Sequence, residues 1–201
     1  MKTAVVYVHG KGGSAAEAAH YRALFPAHDV IGFAYSSATP WEAKAEFPPF
    51  FEEVQRKHAS VTLIANSIGA YFALHALSGQ KLRRAFLISP VVDMEALILQ
   101  MLASTGQSEL DLQRCGTVET AFGETLSWEY LCYVRAHPLC WHAPTCVLCG
   151  GKDTLTAPGT MQAFAQKTGA ELTVMPDGEH WFHTAEQMRF LDLWIKKRSD
   201  F

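Results

Sequence analysis

The chain has 201 residues, 49% of them hydrophobic and 18% charged, which fits one globular domain with a sizeable core and excludes a disordered or low-complexity protein. With 17 basic and 20 acidic residues spread along the sequence, the formal net charge is −3, so a nucleic-acid-binding surface is not expected. The first apolar run, Ala4 to Val8, is too short for a secretory or bilayer-spanning segment. No membrane insertion is expected, and five cysteines without a secretory leader point to reduced thiols in a cytoplasmic protein.

In chain order, short β-rich runs alternate with helical patterns. Strands are expected at Thr3–Val8, His28–Ala34, Ser60–Ala65, Arg84–Ser89, Thr145–Cys149 and Glu171–Met175. Helices are expected at about Ala15–Leu24, Trp41–Lys57 (interrupted or kinked at Pro48-Pro49), Ile68–Ser78 with Gly79 as C-cap, Pro158–Lys167 ending near Gly169, and Thr184–Lys197. Strands that are apolar nearly throughout, separated by helices, predict a six-stranded, mostly parallel sheet covered on both faces. Residues 91–143 are too long for one crossover. They read as a small helical cap, with helices at Met94–Ala103 and Ser127–Arg135 and a polar stretch between, inserted into a single domain spanning 1–201.

Four loops, each following a strand, carry candidate chemistry. Asn66-Ser67-Ile68-Gly69 joins a strand directly to a helix, a turn that lifts a serine hydroxyl above the sheet and leaves the Ile68 N–H free for an oxyanion. Ala65 stands where the G-x-S-x-G pattern has its first glycine. The loop His9-Gly10-Lys11-Gly12-Gly13-Ser14 can bring a second N–H, from Lys11 or alternatively Gly12, to the same oxyanion, with His9 fixing the loop; its spacing matches no nucleotide-binding motif. Asp153, after Gly150-Gly151-Lys152, is the expected acid, with Asp93 as rival. His180, in Asp177-Gly178-Glu179-His180, is the expected base, with His183 as rival. Cys146 and Cys149 form a C-x-x-C string, but residues three apart on a strand point to opposite faces, so they read as core thiols. His137, Cys140 and His142 lack a matching partner cluster, and no metal or other cofactor is expected.

The order Ser, Asp, His, with a glycine loop after the first strand, is that of α/β-hydrolases. The stretches VYVHGKGGS, ANSIGA, LCGGKDTLT and DGEHWF resemble that superfamily's oxyanion loop, nucleophile elbow, acid turn and histidine loop, and the resemblance covers nearly the whole chain. It is similar to small bacterial members with a short insert before the acid strand, and the resemblance implies that the sequence starts at that family's third strand, so an all-parallel sheet without the two leading antiparallel strands is expected. The resemblance implies metal-independent hydrolysis of an ester, thioester or related acyl substrate through an acyl-serine, on a minimal α/β-hydrolase fold. It leaves open acyl transfer or carbon–carbon cleavage by the same triad, and a non-catalytic ligand-binding protein on the same scaffold. Expected substrate contacts are Tyr35 from the loop after the second strand, Trp181, and Leu97 from the cap; an apolar pocket would favour short or medium acyl chains or aromatic esters. Oligomeric state is not legible.

Overall fold

The computed structural model describes residues 2–121 and 123–199. Six strands, β1 (Ala4–Val8), β2 (Asp29–Gly32), β3 (Val61–Asn66), β4 (Arg84–Ile88), β7 (Thr145–Gly150) and β8 (Glu171–Met175), form one sheet in the order β2-β1-β3-β4-β7-β8. Every pairing is parallel. The four central strands are buried along nearly their whole length, as their apolar runs require when both sheet faces are covered. Side chains alternate between the faces. Val5, Tyr7, Ile64, Phe86 and Leu148 pack with α1 (Ala18–Tyr21) and α8 (Ala185–Arg198). On the other face Val8 lies against Gly69 of α3 (Ser67–Ala76), and Phe72 of α3 meets Phe47 of α2 (Pro40–Lys57) edge-on at 6.5 Å.

Several helices differ from expectation. The first is only a 3₁₀ turn, Ala15–Glu17, followed by α1; Pro26 disfavours helical geometry at Phe25, and the chain turns there to bury Leu24 and Phe25. α2 is continuous through Pro48-Pro49, not interrupted. The prolines free the carbonyls of Lys44 and Ala45, both exposed residues whose carbonyls water can satisfy, while Ala43, Phe47, Phe51 and Val54 anchor the opposite face. A capping box also holds its start: the Glu42 N–H donates to Thr39 Oγ1 (3.3 Å) and the Thr39 N–H donates to Glu42 (3.0 Å). α3 ends at Ala76 with Leu77 as its C-cap, two residues before the expected end at Ser78 and cap at Gly79, and Leu77 turns inward and is buried. α7 (Pro158–Thr168) ends as expected on left-handed Gly169.

The insertion is a compact unit of its own, Asp93–Leu139; the rest of the chain, Met1–Val92 with Cys140–Phe201, is the other. Within the insertion, α4 (Met94–Ser104) and α6 (Trp128–Ala136) match the expected helices. The intervening polar stretch is itself structured, as α5 (Glu109–Cys115) and an antiparallel hairpin of β5 (Thr117–Glu119) and β6 (Thr125–Ser127). A Ser108–Asp111 capping box starts α5, and Gly116 at φ 75° ends it. Arg135 of α6 ties Glu95 (2.7 Å) and Glu109 (2.6 Å) together. Among the described residues no helix is long and apolar enough to cross a membrane.

Candidate active site

The parallel register aligns the C-terminal ends of β1, β3, β4, β7 and β8, and the four loops singled out above leave from that edge. β3 passes into α3 with no intervening residue, and Ser67 takes the turn at φ 49°, a left-handed conformation that costs a non-glycine residue about 1 kcal/mol or more. Buried, doubly paired β3 on one side and buried α3 on the other hold it there. Strand, helix and glycine loop meet closely. A methyl on Gly69 would collide with the His9 carbonyl oxygen, and one on Gly10 would lie 3.2 Å from Ser67 Cβ. Ala65, the departure from the glycine pattern, is fully buried in β3 between Val8 and Leu87.

Residues 113 apart in sequence meet here: the Ser67 hydroxyl lies 2.8 Å from His180 Nε2. His180 Nδ1 lies 2.8 Å from Asp153 Oδ2. A carboxylate can only accept, so it fixes the proton on Nδ1 and leaves Nε2 as an acceptor for the serine proton. The Asp153 side chain is 1% exposed and receives the Leu155 N–H (2.8 Å), the Thr156 N–H (3.3 Å) and the Thr156 hydroxyl (3.0 Å). Burial opposes its charge, but His180 and these donors outweigh burial and hold the carboxyl below the usual aspartate range.

The reason for Gly150-Gly151 is visible in the backbone. A side chain at Gly150 would strike the Gly178 carbonyl, and one at Gly151 the Pro176 carbonyl. Their absence lets the acid turn and the histidine loop bond directly, with Gly151 N–H on Met175 O (2.7 Å) and Lys152 N–H on Gly178 O (2.9 Å). An exposed Lys152–Asp177 ion pair at 2.8 Å adds a second tie.

In the loop after β1, His9 Nδ1–H donates to the Gly10 carbonyl (2.8 Å), and the His9 ring stacks on Tyr35 at 4.4 Å. Gly12 sits at φ 74°, which glycine adopts without penalty. Lys11 and Gly12 border a cleft of about 920 Å³ together with Ser67 and His180. Ile68 is the second residue of α3, in the first turn whose N–H groups have no helical acceptor.

The other expected residues fall in different places. Trp181 borders the cleft and is 72% exposed. Tyr35 instead braces the loop: its hydroxyl donates to the His9 carbonyl (2.8 Å), and burial and then Glu46 push its pKa up to about 12. Leu97 lies half-buried on α4, in the insertion unit. The rival acid Asp93 caps α4 by accepting the Ala96 N–H (2.9 Å), and the rival base His183 donates through Nδ1 to the Trp181 carbonyl (2.7 Å). Cys146 and Cys149 are buried thiols.

One hydrogen-bond network was not foreseen from the sequence. Asn66, next to Ser67, donates through Nδ2 to the Tyr7 hydroxyl (2.9 Å), which donates to Glu17 Oε2 (2.5 Å). Glu17 also accepts the Ser14 N–H (3.0 Å), so this chain links the elbow, β1 and the glycine loop along the cleft wall. Burial first, then neighbouring tyrosine and glutamate, raises the Tyr7 hydroxyl well above its usual range, so it remains a donor.

No protein-family model matches the chain, and no curated protein matches it in sequence. Solved structures do. Alpha/beta hydrolase domain-containing protein 10 from mouse superposes with a TM-score of 0.80 at 16% identity, covering 98% of this chain and 89% of that one. Est1E from Butyrivibrio proteoclasticus gives 0.70 at 12% identity, covering 98% and 86%. A monoacylglycerol lipase from Paleococcus ferrophilus gives 0.65 at 16% identity, covering 98% and 95%. The chain therefore has the α/β-hydrolase fold, in a minimal form whose six-stranded sheet is parallel throughout.

Proposed function

We propose that this chain is a serine hydrolase that cleaves an ester, thioester or related acyl substrate through an acyl-serine intermediate. One observation carries the reading: Ser67, His180 and Asp153 form a continuous chain of two 2.8 Å hydrogen bonds at the edge of a cleft. In this reading His180 Nε2 takes the Ser67 proton as the oxygen attacks the acyl carbon, and Asp153 stabilises the imidazolium that forms. The tetrahedral oxyanion is received by the N–H groups of Ile68 and of Lys11 or Gly12. Collapse returns the proton to the leaving group, and water, activated by the same imidazole, releases the acid. Every role is filled by the chain's own side chains and backbone, so the scheme needs no cofactor.

The left-handed turn at Ser67 supports this reading over a non-catalytic one because it presents the hydroxyl to a base, His180 Nε2 at 2.8 Å, which Ser89, the other serine at positive φ, does not have. The test is the time course with p-nitrophenyl butanoate. The wild type should release a burst of nitrophenol equal to the enzyme concentration, followed by slower turnover wherever deacylation limits. Ser67→Ala should lose at least about 10⁴-fold in kcat. Equal turnover by wild type and Ser67→Ala would remove the proposal.

A further inference from the structure

Five large apolar side chains stand exposed among the described residues: Leu110, Leu155, Val174, Trp181 and Leu193. Of these, Leu155 and Trp181 border the cleft that contains Ser67 and His180. Trp181 is the most exposed of the five, and a bare indole costs a fold the burial it forgoes.

The indole is nonetheless held in place. The His183 ring lies nearly parallel to it at 4.5 Å and 22°, and the His183 Nδ1–H bonds back to the Trp181 carbonyl at 2.7 Å. Glu179 Oε2 lies 3.6 Å from the same nitrogen. One face of the indole is thus covered, while most of its surface remains open to water. Trp181 directly follows His180, and the Leu155 N–H is one of the donors that fixes Asp153. The bonds that position the acid and base also position these two apolar groups. Tyr21, Phe182, Met188 and Leu191 extend the apolar lining, and the cleft volume suits a small organic molecule.

We infer that Trp181 is a stacking platform for an aromatic ring carried by the substrate, so that the cleft takes aryl-bearing esters. This rests on the serine-hydrolase reading above. A flat ring gains from offset stacking on an indole, through both contact area and quadrupole complementarity. An alkyl chain gains area alone and loses rotamer freedom when ordered on an open surface. The ring belongs to the acyl or to the alcohol half of the ester, and the two can be told apart.

The experiment compares ethyl 3-phenylpropanoate (ring in the acyl half), benzyl acetate (ring in the alcohol half) and ethyl acetate, in wild type, Trp181→Ala and Trp181→Phe. The kcat/KM ratio of one ring-bearing ester over ethyl acetate should fall about tenfold in Trp181→Ala and largely recover in Trp181→Phe. The ester that responds assigns the ring to its half. Unchanged ratios for both ring-bearing esters overturn the inference, because Trp181 would then act on all substrates alike through His180. Binding separates this failure from failure of the hydrolase reading. Ser67→Ala, titrated with ethyl 3-phenylpropanoate and with benzyl acetate by calorimetry, should bind one of them at least about tenfold more tightly than Ser67→Ala/Trp181→Ala does. That result sustains the platform even if no ester is turned over. Absent binding, or equal affinity in the two proteins, overturns it.

Discussion

At Ser67 the backbone and the side chain make opposing demands. The left-handed turn costs stability, and the hydroxyl it presents to His180 is what that cost supports. Asp153 is the complementary case, a buried carboxylate whose charge is sustained by four donors. Asp153→Asn keeps the shape but offers Nδ1 an amide, which favours the wrong imidazole tautomer. We expect kcat on p-nitrophenyl butanoate to fall about 10³- to 10⁴-fold with the fold intact by circular dichroism. Ser67, Asp153 and His180 were legible in the sequence because each follows a strand end with glycine beside it, a local pattern that survives any separation along the chain. The chain from Asn66 through Tyr7 to Glu17 was not. It joins three segments whose proximity only the folded sheet creates; Asn66 and Tyr7 lie within quoted motifs, but nothing in those motifs says that their side chains meet. The part Tyr35 plays in bracing the glycine loop was hidden for a related reason: an aromatic on a site loop can face the ligand or brace the loop, and spacing does not distinguish the two.

At the level of elements, close backbone approach decides more than propensity does. Gly69 lets α3 rest on the loop after β1, and Gly69→Ala should cost about 1–3 kcal/mol in urea unfolding as the helix is pushed off the His9 carbonyl. Tyr7→Phe would leave the Asn66 amide and the Glu17 carboxylate without their shared partner. A loss of about 1–3 kcal/mol is expected in the same assay. The strands were readable because a sheet covered on both faces demands continuous apolar runs, and those runs are what the sequence contains. Helix interiors were less so. Pro48-Pro49 normally ends a helix, but here the freed carbonyls lie on the exposed side while four buried residues hold the turn-by-turn geometry. Pro49→Ala should therefore stabilise the protein, by up to about 3 kcal/mol, read as a raised thermal midpoint. In the insertion, α5 and the β5–β6 hairpin escaped notice because their stabilising features are a capping box and a glycine turn, which leave little hydrophobic period in so short a stretch.

For the whole molecule, the pH dependence of stability follows from the signs of the perturbed groups. Asp153, Asp29, Glu42, Glu46, Asp111 and Asp177 have carboxyls held below their usual range in the fold. A depressed folded pKa contributes stability above the unfolded value of about 4, and that stability is lost as pH falls through the folded value. His28, lowered by burial and then by Arg83, acts in the same direction and begins the loss below about pH 6.5. Tyr7, Tyr21 and Tyr35 are raised, chiefly by burial, so their contribution is fully present below about pH 10 and is lost as pH rises through the folded values. Urea midpoints measured across pH should form a plateau between about pH 7 and 9, with an acid arm and a separate alkaline arm. A midpoint that rises steadily into acid would contradict this assignment of signs.

The central claim is that Ser67 is an activated nucleophile, and the most direct measurement is reaction of the purified protein with a fluorophosphonate, read by intact mass and peptide mapping beside Ser67→Ala. The account predicts a single adduct on the wild type, located on Ser67, and none on the variant. An unlabelled wild type, or equal labelling of the two proteins, would contradict it.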